Sequence, residues 1–126
     1  MGGLQRRVGV LVVEDEFLIA LDVEDKFQQL GFWDIHVAHS VEQGRDVLRD
    51  HVIGLAFLDV NLGREVVFPL AEELRTRQIP IVFSTARSRS DIPVEWTGYP
   101  ILGKPLEPAS LVDALRRQGV EPDGGG

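Results

Sequence analysis

The chain has 126 residues, 44% hydrophobic and 26% charged, a balance that specifies one globular core and excludes an intrinsically disordered or fibrous chain. Thirteen basic against 20 acidic side chains give a net charge of −7, which argues against direct binding of nucleic acid through phosphates. Cysteine is absent, so disulfides, thiol catalysis and cysteine-ligated zinc are excluded together, and the longest apolar runs, Val8–Val13 and Val52–Leu58, are six and seven residues against the roughly 20 of a membrane span.

Residues 1–7 read as an N-terminal extension. The basic pair Arg6-Arg7 is followed by an apolar run that Glu14-Asp15-Glu16 cuts short, so no signal peptide is read and a cytoplasmic location is expected. From Val8 onward, apolar runs alternate with amphipathic segments, the pattern of βα units around a parallel sheet covered on both faces. Val8–Val13, rich in β-branched residues, is the first strand. Phe17, Ala20, Val23, Phe27 and Leu30 then recur every three or four residues and define one helix face, with Gly31 as its stop. Trp33 is expected to pack at the helix end, and Asp34–Ala38 is a weaker second strand. Ser40 and Gln43 have the spacing of a capping box for a helix reaching about Asp50, with Val41, Gly44 and Leu48 facing inward. His36, His39 and His51 share no ligand spacing and are read as structural.

Leu55–Leu58 is the third strand, stopping at Asp59 before an expected loop over Asn61-Leu62-Gly63-Arg64. A helix follows from near Pro69, tolerated in a first turn, through Leu70 and Leu74 to about Arg77, and Pro80–Ser84 is the fourth strand. Between Thr85 and Tyr99, Pro93 and Gly98 interrupt any apolar period. A loop with at most one short helical turn is expected there, with Trp96 available to a partner surface. Ile101–Gly103 is a short fifth strand, and Glu107-Pro108 opens a last helix with Leu111, Ala114 and Leu115 inward. The reading is one α/β domain over residues 8–118, a doubly wound five-stranded parallel sheet, followed by a flexible tail at 119–126.

In such a sheet the carboxyl ends of the strands open onto one crevice where ligands bind. Glu14 and Asp15 follow strand one, Asp59 ends strand three, Thr85 follows strand four and Lys104-Pro105 follows strand five. Lys104 is one of only two lysines, the other being Lys26 on the first helix. Carboxylates packed together repel unless a cation stands among them, and oxygen donors of this kind suit Mg²⁺, which keeps open positions for phosphate. In that arrangement Asp59 is a nucleophile toward phosphorus, forming an acyl phosphate, while Mg²⁺ and Lys104 neutralise the transferring oxygens and Thr85 donates a hydrogen bond. Taken singly, each group has a plainer use: the acidic triplet at a helix N-terminus, Asp59 in a turn, Thr85 as a cap, Lys104 as a surface charge. Their joint placement favours the site.

Four segments, Val12-Val13-Glu14-Asp15-Glu16, Phe57-Leu58-Asp59-Val60-Asn61-Leu62, Ser84-Thr85-Ala86 and Gly103-Lys104-Pro105, occur in the order and spacing of the response-regulator receiver domains of bacterial two-component signalling, which the chain resembles from Val8 to about Gln118. The resemblance implies a flavodoxin-like sheet of order 2-1-3-4-5. It implies Mg²⁺ at Glu14, Asp15, Asp59 and the backbone carbonyl of Asn61, and Asp59 as acceptor from a histidine kinase or histidine phosphotransfer protein. It further implies phosphoryl contacts from Thr85 and Lys104, a cis Lys104-Pro105 bond, and an as yet unknown downstream protein partner. A receiver of this kind is a signal carrier rather than a turnover enzyme, at most phosphorylating itself from small donors and dephosphorylating itself.

Two departures from the family pattern stand out. The aromatic switch position three residues before the lysine is Ile101, and Tyr99, two residues earlier and of the same strand parity, is the candidate substitute. Only 18 residues separate Thr85 from Lys104, so the fourth helix is expected to be short or absent. With Asn61-Leu62-Gly63, Val67-Phe68-Pro69-Leu70 and Val82-Phe83-Ser84-Thr85, this is similar to the atypical single-domain FAT GUY receivers, although Ala86 and Arg87 stand where that motif has Gly and Tyr. Arg87, next to the site in sequence, is a candidate modulator of acyl phosphate lifetime. Two other readings remain: a phosphate-independent protein-interaction receiver, favoured by Ile101, and an aspartyl-nucleophile phosphohydrolase, disfavoured by Asn61 where such enzymes carry a second aspartate.

Overall fold

Residues 8–86 and 92–122 are described in the computed structural model of the chain. Five parallel strands, β1 (Val10–Val13), β2 (Ile35–Ala38), β3 (Leu55–Asp59), β6 (Ile81–Thr85) and β7 (Ile101–Gly103), form a sheet of order β2-β1-β3-β6-β7. This is the 2-1-3-4-5 order of the flavodoxin-like fold. A small antiparallel hairpin, β4 (Asn61–Leu62) and β5 (Glu65–Val66), lies between β3 and α3. The helices are α1 (Phe17–Gln29), α2 (Val41–Asp50), α3 (Phe68–Thr76) and α4 (Pro108–Arg117).

Strand side chains alternate between two apolar layers. Leu11, Val13, Ala56, Leu58, Ile81 and Phe83 pack with Leu48 of α2 and Leu70 and Leu74 of α3, whereas Val10, Val12, Leu55, Phe57 and Val82 pack with Val23 and Phe27 of α1 and Leu111 and Leu115 of α4. Residues 10–13 and 55–59 are buried throughout, which is why these runs carry no polar alternation. α1 ends as its sequence dictates, with Gly31 at φ +94° and its N–H donating to Gln28 O. α2 opens on Ser40, whose Oγ accepts from Gln43 N at 3.1 Å; the reciprocal Gln43 Oε1 accepts from His39 N at 2.8 Å, one residue earlier than an ordinary capping box.

Several expectations are corrected. The Asn61–Arg64 stretch is part of a hairpin rather than an open loop, turning at Gly63 with φ +67°. Phe17 is 64% exposed rather than on the buried helix face, and Trp33 is 72% exposed because Phe32 beside it takes the core position. Trp96 is 1% exposed, a core residue rather than a partner surface. β1 starts at Val10 rather than Val8, β6 runs through Thr85, and α3 stops at Thr76. The segment before β7 holds only a 3₁₀ turn, Val94–Trp96, among its described residues. The N-terminal extension, Arg87 and the end of the tail lie outside the described residues.

At the foot of β1, a Cβ built on Gly9 would stand 2.2 Å from Val52 O, a backbone atom that cannot swing aside. Gly9→Ala is therefore expected to lower stability by about 1–3 kcal/mol as an overpacked site. Gly98→Ala, with nothing within 4 Å of its added Cβ, is the control in a urea melt.

Candidate functional site

The acidic site forms because three parallel strands end side by side. β1 pairs with β3 up to Val13↔Leu58, and β3 pairs with β6 up to Asp59↔Ser84, so Glu14, Asp59 and Thr85 emerge at one edge. Thr85 is in register with Gly103 of β7, so Lys104, the next residue, stands at the same edge; the Lys104-Pro105 peptide is cis.

Glu14, Asp15 and Asp59 each offer a carboxylate oxygen within 4.8 Å of the others. Glu14 is 1% exposed and Asp59 is 3% exposed, whereas Asp15 faces solvent. Lys104 Nζ donates to Glu14 Oε1 at 2.9 Å and lies 3.3 Å from Asp59 Oδ1, and Glu14 Oε2 accepts from Glu16 N at 3.1 Å. Burial, reinforced by the charge of Glu14, pushes the Asp59 carboxyl up to about 7 against the opposing pull of Lys104. Burial draws the Lys104 ammonium down, but the hydrogen bond to Glu14 and the charge of Asp59 hold it above its ordinary value. Three carboxylates against one ammonium leave an excess of negative charge, and the donors are all hard oxygens. That donor set fits Mg²⁺, which is bound by one or two carboxylates, water and phosphate oxygens.

Of the residues expected at the site, Glu14, Asp15, Asp59 and Lys104 lie together, and Thr85 stands buried at the adjoining strand end. Asn61 follows two residues after Asp59 as the first residue of the hairpin. Ile101 is buried in register with Phe83. Tyr99 is half-buried in the same layer, its ring 5.9 Å from Phe83 in a T-shaped contact and 5.6 Å from Trp96. Sequence reasoning missed His39 as a neighbour of the site: its Nδ1 lies 2.9 Å from Glu14 O. It also missed the apolar rim. Beside Lys104 a cleft of about 500 Å³ is lined by Leu18, Ile19, Val23, Ser84, Pro105 and Leu106, and Leu18 is 76% exposed. The unpartnered apolar positions at the start of α1 were the available signal.

The chain matches the response regulator receiver domain family over residues 10–116, and it therefore belongs to that family of two-component signalling modules. The solution structure of SdrG from Sphingomonas melonis Fr1 is 35% identical with a TM-score of 0.80, covering 90% of this chain and 97% of SdrG. A BeF3-activated conformation of SdrG from Pseudomonas melonis Fr1 is 34% identical with a TM-score of 0.77, covering 89% and 96%. Response regulator Rre1 of Synechocystis is 26% identical over 131 residues, spanning 94% of this chain but 56% of Rre1; the chain thus accounts for little more than half the length of that relative. Among the described residues no helix is long and apolar enough to cross a membrane.

Proposed function

We propose that the chain is a phosphoacceptor that takes a phosphoryl group onto Asp59 from a histidine kinase or histidine phosphotransfer protein in the cytoplasm and thereby changes its binding to a downstream protein. The observation that carries this reading is the single lysine shared between two buried carboxylates, with a third carboxylate within 4.8 Å. In the reaction an Asp59 oxygen attacks phosphorus and forms the O–P bond as the P–N bond of the donor phosphohistidine breaks, the electron pair leaving with the imidazole nitrogen. Glu14, Asp15, Asp59 and the carbonyl of Asn61 would hold Mg²⁺, which supplies charge neutralisation to the transferring oxygens. Lys104 exchanges its carboxylate contact for a phosphoryl oxygen, and Thr85 donates to another. The same chemistry from a small donor would allow self-phosphorylation, and water attacking phosphorus would slowly break the Asp59 O–P bond to release inorganic phosphate and the free carboxylate, with Arg87 as a modulator of that lifetime.

The exposed Phe17, Leu18 and Leu21 on α1 and the cleft beside Lys104 support docking of the donor protein there. The similarity to an SdrG form that BeF3 activates supports phosphoryl-dependent switching. Tyr99 on Phe83 offers a replacement for the aromatic switch that Ile101 lacks. Among the described residues between β6 and β7 the only helical element is the short 3₁₀ turn, which supports placement in the FAT GUY group, with the domain taken as residues 8–118. A phosphate-independent interaction module is the second reading, favoured by Ile101 alone; the phosphohydrolase reading has no specific structural support.

The test is the intact mass after incubation with Mg²⁺ and a small phosphodonor such as acetyl phosphate. One phosphoryl adduct, absent with EDTA, is the expected result. Bound metal without any adduct would move the assignment to the phosphate-independent module, and steady release of inorganic phosphate would revive the hydrolase.

A further inference from the structure

Two hydrogen bonds connect the turn between β2 and α2 with the chain corners that carry the acidic site. The β1–β2 ladder ends at Val13↔Ala38. One residue further, Glu14 N donates to Ala38 O at 3.0 Å, and Glu14 O lies 2.9 Å from His39 Nδ1. A carbonyl oxygen only accepts, so the hydrogen is on Nδ1, and the imidazole stands where the next ladder donor would be. The backbone at His39 is held by its own N–H, which donates to Gln43 Oε1 at 2.8 Å, and the Phe17 ring lies 6.2 Å from the imidazole.

The second bond runs from Val41 N to Glu65 Oε1 at 3.1 Å. Val41 is the first residue of α2, where an N–H has no partner within the helix and the helix dipole favours a carboxylate. Glu65 belongs to the β4–β5 hairpin that starts at Asn61. The turn of that hairpin lies against the acidic corner, because a Cβ on Gly63 would sit 3.4 Å from Asp15 Oδ2.

We infer that His39 and Glu65 are positioning residues. The β2–α2 turn contributes no group to the acidic site but braces it, His39 through the backbone of Glu14 and Glu65 through the hairpin that carries Asn61. This rests on the metal-binding part of the function proposed above. Groups one step removed from metal ligands fix the direction of the donor atoms, and losing one costs about 10–100-fold in metal affinity.

The test is a Mg²⁺ titration of the full chain followed by amide NMR shifts, with a thermal melt of each variant. His39→Phe keeps an aromatic ring beside Phe17 and deletes the donor. His39→Asn places an amide nitrogen the same number of bonds from Cα as Nδ1. Glu65→Gln keeps the acceptor that Glu65→Ala removes. His39→Phe and Glu65→Ala are expected to weaken Mg²⁺ binding about tenfold, with His39→Asn and Glu65→Gln recovering most of it. Equal Mg²⁺ affinity in wild type, His39→Phe and Glu65→Ala, or no recovery in the Asn and Gln variants, would overturn the brace while leaving the metal site intact. If His39→Phe does not fold, the exposed Glu65 pair decides alone. A wild-type chain that binds no Mg²⁺ overturns the metal-site reading, and the brace with it.

Discussion

Asp59→Asn is expected to abolish the Mg²⁺-dependent phosphoryl adduct and, in the same protein, to raise the stability of the metal-free fold at pH 8. The first effect follows from removing the nucleophilic oxygen. The second follows from the position of Asp59, nearly covered and facing Glu14 with only Lys104 to compensate. Its carboxyl is raised from 3.8 to about 7, so between those values the folded chain holds a proton that the unfolded chain has released. A group of this kind contributes stability that is fully present below about pH 4 and is lost as the pH rises through 7. Asparagine carries no such ionisation, so the variant gains over wild type by an amount on the order of 2 kcal/mol at pH 8, and the gap narrows toward pH 5. Mg²⁺ reverses the ranking at pH 8, because wild type keeps the full set of carboxylates. Melts at pH 5 and pH 8, with and without Mg²⁺, check all of this. An equal gap at both pH values would show that the ionisation of Asp59 is not the cause.

Trp96→Ala is expected to cost about 3–5 kcal/mol, the range for emptying a buried aromatic site, while leaving Mg²⁺ binding in place. Trp96 is 1% exposed. Its ring stacks on Phe68 at 6.0 Å and meets Phe83 edge-on at 5.8 Å, and the Arg75 guanidinium lies 4.6 Å above it. The 3₁₀ turn thus supplies one large side chain to the layer over β6 and β7, where no longer helix is present among the described residues. The acidic groups stand on β1 and β3 instead, so the folded variant keeps its metal ligands. Arg75→Ala, which removes the cation from the ring face together with its exposed pair to Glu72, is expected to cost about 1 kcal/mol. Urea denaturation of the three proteins provides the comparison; a loss below 1 kcal/mol for Trp96→Ala would show that the turn is not part of the core.

The strands and helices are legible because their apolar periods are local. Val10–Val13 and Leu55–Leu58 are unbroken apolar runs since helices cover both faces of the sheet, and Ser40 announces α2 because a cap acts within three residues. The hairpin at Asn61–Val66 escaped notice because two residues per strand are too few for an alternation to appear. Its one local signal is Gly63 in the first central position of a two-residue turn. Phe17 stands outside the core because periodicity reports which residues can share a face, not how far the sheet extends beneath them: Phe17 meets the His39 ring instead.

The amino-acid order by itself determines which groups end each strand, and in a parallel sheet that is enough to assemble Glu14, Asp15, Asp59, Thr85 and Lys104 at one edge from positions up to 90 apart. Packing between distant segments decides the rest. It sets the raised carboxyl of Asp59, the lysine shared with Glu14, the burial of Trp96, and the bonds from His39 to Glu14 and from Val41 to Glu65. These depend on distances and solvent exclusion between chain segments that are 24 or more residues apart, and no local pattern encodes them.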